Sequence, residues 1–343
     1  FPVKDALIYN PATQIGYGAR GSQGASFYSA ENPPFGAVIT YHLNEGLESL
    51  QDMRREKEKG LIEADEPVYY PSWDELREED REVDPMLILT ITDAGGAVVK
   101  RFSGPGAAGL HRVAWDLRHP YSGPINLNQG GKSAPWDDDR AGALVVPGQY
   151  SVTISKRVRG EETVLAGPVE FTAKPLGLNT LANTDFEVVT AFREESGELY
   201  RAVQGASRTY RDADTRLEHI RKAIKETPSL DTALLDEVDA LGVKLADVGL
   251  KLNGDRTVSS RSEPTTPSIS RRASWIFYGI QSNTQGPTQT MRDNLALTNQ
   301  LFAPVLAELT TLVTVDLKAL EDKLEAAGAP YTPGRIPVLR SVD

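Results

Sequence analysis

The sequence predicts an α+β multidomain chain: an Ig-like antiparallel β-sandwich followed by an antiparallel long-helix bundle. Three observations predict it. Up to about Pro175, short runs of alternating apolar residues are separated by dense Gly and Pro. Beyond Pro175, apolar residues recur every three or four positions, the spacing of one helix face. The 343 residues leave room for two or three domains at roughly 100–200 residues each.

Residues 1–34 are rich in Gly, Ser and Asn and read as an extended connector. The sandwich is expected over 35–175. Ala37, Ile39, Tyr41 and Leu43 share one face of a period-two run. Leu87, Leu89 and Ile91 do the same and lead into the turn Asp93-Ala94-Gly95-Gly96; Val98 to Phe102 returns, which predicts a hairpin. Leu110 to Leu117 forms a further strand carrying Trp115. Tyr150, Val152 and Ile154 alternate with Ser151, Thr153 and Ser155, and Val169, Phe171 and Ala173 make the last strand. Short strands with one apolar face predict two packed sheets. Two insertions interrupt them. Residues 46–84 mix charges of both signs and predict a solvated helical excursion. Residues 119–147 are rich in Gly, Pro and Asp and predict a long loop.

The helical bundle is expected over 176–335, followed by a tail at 336–343. Thr184 and Glu187 have the spacing of a capping box. From Phe186 to Ile224 the apolar residues keep near-heptad spacing, which predicts about 40 residues of helix, roughly 60 Å long. A second helix carries Leu235, Val238, Leu241, Leu245, Val248 and Leu252 and stops at Asn253-Gly254. A short helix is expected over 268–281. A last one runs from Thr288 to Ala327, with Pro304 expected to kink it.

Composition excludes several classes of function. There are no cysteines, so disulfides, thiolate metal sites and cysteine nucleophiles are ruled out. The net charge of −11 opposes nucleic acid and anionic membrane surfaces as partners. No uninterrupted apolar run approaches the roughly 20 residues needed to span a bilayer. The first residue is Phe1 rather than Met, which reads as a trimmed or processed start.

No convergent catalytic set stands out. His111 and Asp116 could form an acid–base pair, but strand parity puts them on opposite faces, and Trp115 reads as core. Asp137, Asp138 and Asp139 could supply oxygen ligands for Ca²⁺, yet their spacing is wrong and Arg140 opposes a cation. Asp74, Glu75, Glu78 and Glu79 are the candidates for a paired-carboxylate site, and surface charge balance is the simpler reading. His42, His119 and His219 are scattered, which predicts no metal site, and nothing calls for a cofactor. Tyr200, Tyr210 and Trp275 could line a partner groove in the helical half, whose leucine stripe reads as core.

Several segments act together as a signature: 32–43 (NPPFGAVITYHL), 70–82 (YPSWDELREEDRE), 109–120 (GLHRVAWDLRHP), 144–154 (LVVPGQYSVTI), 262–269 (SEPTTPSI) and 324–335 (LEAAGAPYTPGR). They resemble the region that follows the β-propeller in large exported bacterial proteins with sortilin-like, Asp-box propellers, often labelled glycosyl hydrolases. The 109–120 and 144–154 pair is also similar to the Ig-like module of flagellar hook-capping proteins. The resemblance implies an exported setting (periplasmic, cell-surface or secreted), an upstream propeller as partner in the same protein or a separate chain, and contacts with other envelope proteins. It makes 1–34 the exit from that propeller. The Asp-box pattern itself is missing from this chain, so any hydrolase activity belongs outside it. The function expected is a non-catalytic scaffold or protein-interaction module. The alternative is a carbohydrate-binding or carbohydrate-degrading accessory module, in which Trp73 and Trp136 contact the ligand.

Overall fold

The computed structural model describes residues 1–9, 33–125, 142–177, 185–281 and 285–339. It divides into two compact units, Phe1–Tyr121 with Ser133–Asn183 and Ser122–Lys132 with Thr184–Asp343. The fold mixes a curled five-stranded sheet with a helical region.

In the first unit the elements are β1 (Ala6–Ile8), β2 (Ala37–Leu43), α1 (Leu50–Glu63), α2 (Trp73–Arg81), β3 (Met86–Asp93), β4 (Val98–Gly104), β5 (Gly109–Trp115), β6 (Gly148–Val158) and β7 (Glu161–Pro175). One sheet has five strands in the order β1-β7-β6-β3-β4; the other pairs β2 with β5. The alternation expected from the sequence is the register observed. Leu87, Leu89 and Ile91 on β3 are fully buried, and Ala37 and Ile39 on β2 and Val152 and Ile154 on β6 are buried with them. Both sheets contribute to one core. Trp115, on β5, meets Tyr150 and Phe171, on β6 and β7, edge-on at 5.4 and 6.1 Å between ring centres. The indole Nε1 donates to the Arg118 carbonyl at 3.1 Å, so the ring is buried with its one polar atom satisfied. The β3–β4 turn is closed by Asp93, whose carboxylate accepts from the backbone N–H of Gly95 and Ala97, both at 2.9 Å.

One expectation is corrected here. The start of the chain is not only a connector. β1 pairs in parallel with β7 in the register Ala6 with Ala173, and Val3, Ala6 and Ile8 are buried in the shared core. Edge pairing satisfies the backbone of a segment that composition alone marks as irregular. The remainder of the predicted connector, 10–32, lies outside the described residues, as does most of the loop predicted over 119–147.

The second unit contains α3 (Phe186–Lys225), α4 (Leu234–Asn253), the single turn α5 (Arg256–Ser259), α6 (Ile269–Gln281), α7 (Gln289–Thr311), a π-helical segment (Leu312–Leu317) and α8 (Lys318–Ala327). α3 has the 40 residues its periodicity predicts. Its cap differs: Asp185 is the N-cap, accepting from the N–H of Glu187 and Val188 at 3.0 and 3.2 Å. A carboxylate there also meets the positive end of the helix dipole. Cross-helix pairs run in opposite order along neighbouring helices. Arg221 with Asp239 and Ser207 with Asn253 connect α3 to α4. Lys323 with Glu237 and Lys251 with Glu308 connect α4 to the last helix. Leucine and isoleucine from every long helix fill the core between them. Pro304 lies inside α7, and a π-helical segment follows α7 at Leu312–Leu317. Among the described residues, one helical stretch, Gln289–Ala327, is long and apolar enough by length and composition alone to cross a membrane. Leu295, Phe302, Val305, Leu309 and Leu320 bury one of its faces in the helical core.

Candidate functional site

The insertion between β2 and β3 carries a run of exposed aromatic residues. Its root is rigid. The Leu47 N–H donates to the Gly106 carbonyl at 2.7 Å, and the Tyr41 hydroxyl donates to the Pro105 carbonyl at 2.9 Å. The Gly104-Pro105-Gly106 turn thus anchors the insert to β2. Gly104 is required there: a Cβ would lie 2.5 Å from the Tyr41 hydroxyl oxygen and 2.8 Å from Leu89.

Both helices begin with capping boxes. The Ser49 hydroxyl accepts from the Asp52 N–H while the Asp52 carboxylate accepts from the Ser49 N–H; Ser72 and Glu75 do the same for α2. Donation from the Ser49 hydroxyl and N–H holds the Asp52 carboxyl, and donation from the Ser72 N–H and hydroxyl holds the Glu75 carboxyl, below the usual carboxylate range. The helices are joined by Arg54, which donates from Nε and Nη2 to the two oxygens of Glu79 at 2.6 and 2.9 Å, and from Nη1 to Glu58 at 2.8 Å. The Leu50 N–H donates to Glu82 at 2.6 Å and ties the start of α1 to the end of α2 at the root of the insert.

Neither helix buries a single residue. Between them, Ile62, Val68, Tyr69, Tyr70 and Trp73 stand in solvent. Tyr69 is 82% exposed, Tyr70 78% and Trp73 69%. The Tyr70 and Trp73 rings meet edge-to-face at 6.0 Å. Beside them a cleft of about 480 Å³ opens between α1 and α2, with Met53, Leu61 and Tyr69 on its walls. Isolated exposed apolar residues are ordinary; here several fall within a dozen residues on a segment whose two helices bury no side chain.

Trp73 is thus exposed where the sequence places it. Tyr69 and Tyr70, which complete the patch, are not singled out by the sequence; the only signal was the aromatic pair just ahead of the Ser72 cap. Trp136 and the Asp137–Asp139 run lie outside the described residues. Three of the four carboxylates singled out on α2 already have partners. Asp74 bonds Arg77 at 2.6 Å, Glu75 caps the helix, and Glu79 is held by Arg54. The Arg54 hydrogen bonds also lower the Glu79 carboxyl. Shifts in that direction oppose the raised acid that glycoside hydrolysis needs.

The remaining candidates separate in the same way. Asp116 bonds Lys100 at 2.9 Å, while the His111 ring lies 2.7 Å from the Ala107 carbonyl and packs on Tyr41. His219 contacts the Thr215 carbonyl on its own helix at 2.8 Å. Among the described residues, no group of three or more His, Asp or Glu side chains is placed to hold a metal ion. Tyr200 is stacked on Phe277 with ring centres 4.0 Å apart, and the Tyr210 ring lies against Gly249, so both belong to the packing of the helical unit. Trp275 is 51% exposed. The 262–269 loop lines a second cavity of about 690 Å³ with the end of α4 and with Leu301, Pro304 and Val305 of α7.

No family model, no curated protein and no solved structure matches this chain.

Proposed function

We propose that this chain is a non-catalytic scaffold that binds a protein partner through the exposed aromatic patch of its helical insert. On this reading it is the part of an exported protein that follows a β-propeller. Its first unit is an Ig-like sandwich and its second an antiparallel long-helix bundle. The observation that carries the proposal is the patch itself. Tyr69, Tyr70 and Trp73 are each more than two-thirds exposed on a hairpin with no core of its own, anchored firmly at its root. Tyr and Trp are the side chains that dominate protein interfaces.

Two features support the Ig-like assignment. The sheet order β1-β7-β6-β3-β4 over β2-β5 fits an Ig-type arrangement in which the first strand adds in parallel to the last. In addition, Tyr150 near the start of β6 donates its hydroxyl to the Val146 carbonyl at 2.7 Å, the hydrogen bond of a tyrosine corner.

Solvent exposure of Trp73 also favours a second reading, stacking on a sugar ring. The edge-to-face geometry with Tyr70 is less suited to it than a flat aromatic platform. One comparison separates the two. Amide exchange is measured over residues 62–73 in the intact native protein and in this chain alone, and the chain is run through polysaccharide affinity gels. Protection of 62–73 only in the native protein is the expected result. Equal exchange in both sinks the interaction reading. Retardation by a polysaccharide that disappears in Trp73→Ala would replace it with the carbohydrate one.

A further inference from the structure

Charge on this chain is concentrated on the insert. Residues 46–84 hold fourteen acidic and six basic side chains, a net −8 out of −11 for the whole chain. The remaining residues are therefore close to neutral in sum. Part of that acidity is used internally, in the pairs of Arg54 with Glu58 and Glu79 and of Arg77 with Asp74, and in the caps formed by Asp52 and Glu75. The rest is free. Asp65 and Glu66 precede the aromatic patch and Glu78 and Asp80 follow it; all four are exposed, and none makes an ion pair or side-chain hydrogen bond among the described residues. The patch is thus an apolar, π-rich surface with unpaired carboxylates on both sides of it in the sequence, and Glu78 lines the cleft beside it together with Lys57.

This arrangement selects a partner chemistry. An acidic surface repels nucleic acid and anionic lipid. An aromatic face flanked by carboxylates attracts a cation that can both stack and pair. A guanidinium does this best, because it is planar, weakly hydrated and able to bond a carboxylate with two N–H groups. We infer that the occupant of this patch is a basic protein segment in which arginines alternate with apolar anchors. The inference rests on the interaction reading above and adds the chemistry of the partner. Arginine would lie over Trp73 or Tyr70 while the free carboxylates steer the approach and set its salt dependence.

The test uses the whole chain and four labelled synthetic peptides of equal length: arginine with leucine, lysine with leucine, glutamate with leucine, and arginine with serine. Binding is followed by fluorescence anisotropy. The arginine–leucine peptide should bind best, the glutamate peptide should not bind, and affinity should fall steeply with added salt. Trp73→Ala should weaken binding by about tenfold or more, as loss of an aromatic hot spot does. The double variant Glu78→Gln/Asp80→Asn should weaken it several-fold and flatten the salt dependence. Glu194→Gln/Glu195→Gln, on α3, removes the same charge from an exposed site elsewhere and should change nothing. If that control weakens binding as much as the insert variant, attraction is non-specific and the inference fails. If Trp73→Ala abolishes binding while the charge variants and the glutamate peptide behave like the reference, the basic partner is wrong and the docking surface stands. If neither class of variant matters, both fall.

Discussion

Arg216 donates from both Nε and Nη2 to one oxygen of Glu321, at 2.8 and 2.6 Å, and Glu321 is only 1% exposed. The backbone of Gly334 closes over the pair: a Cβ there would lie 2.6 Å from the same carboxylate oxygen. The pair therefore joins α3, α8 and the segment that follows α8. Removing one partner of a buried pair leaves an uncompensated charge and costs about 3–5 kcal/mol. Arg216→Ala is expected to destabilise the helical unit by that amount in denaturant unfolding. Arg216→Lys should cost less, because the charge remains while the two-donor geometry is lost. A change below about 1 kcal/mol for Arg216→Ala would show that water reaches Glu321.

Tyr150 makes a second prediction, on pH. Burial, reinforced by the nearby Asp93 charge, pushes its phenol up to about 12 from an ordinary 10.0. A group raised on folding supports the native state fully below its unfolded value and loses that support as pH rises through the folded one. Stability of the first unit should therefore hold up to about pH 10 and decline toward pH 12. Tyr150→Phe should shrink this alkaline limb to the part left by Tyr41, whose phenol burial also raises. At neutral pH it should also cost about 1 kcal/mol, since the Val146 carbonyl loses its donor. Urea unfolding of both forms across that range checks each half of the prediction.

Gly36 offers a backbone test. Its φ is +99°, and a Cβ would sit 1.9 Å from the Trp115 carbonyl oxygen. Here the obstacle is main chain, and no side-chain rotation relieves it. Gly36→Ala should cost about 3 kcal/mol or more from strain and displaced pairing together. The damage should centre on the Ala37–Trp115 end of the β2–β5 pair, visible as lost amide protection there. Gly96→Ala, in the open β3–β4 turn with φ +81° and no neighbour within 4 Å, should cost distinctly less.

These positions also show what the sequence makes legible. β2, β3 and β6 could be read because each buries one face only, so the period of two survives in the residue order. α3 and α4 could be read because each buries one stripe. β1 could not: three residues are too few for a period, and its partner β7 is distant in the chain. α5 is shorter still. The cap of α3 shows a different limit, since Thr184 and Asp185 are both good caps and only geometry chooses between them. At the candidate site, Trp73 stood out because it interrupts a charged run. Tyr69 and Tyr70 did not, because an aromatic pair beside a proline fits a core as well as a surface. What decides is whether another element covers them, and that is a property of the assembled unit.

The hairpin of the insert gives the last prediction. Arg54 joins α1 to α2 through both oxygens of Glu79, while neither helix buries a residue. Local and global stability should therefore separate. Arg54→Ala is expected to speed amide exchange across 50–81 while leaving the melting temperature of the chain almost unchanged. The junction also has a defined pH range. Hydrogen bonds from Arg54 lower the Glu79 carboxyl below its ordinary 4.5. A group lowered on folding contributes above its unfolded value and stops contributing as pH falls through the folded one. The Arg54 side-chain N–H resonance should accordingly stay fixed from neutral pH through 4.5 and move only below it. Movement already at pH 5–6 would mean that the pair is open in solution. In that case the aromatic patch would be carried by two independent helices, not by one anchored surface.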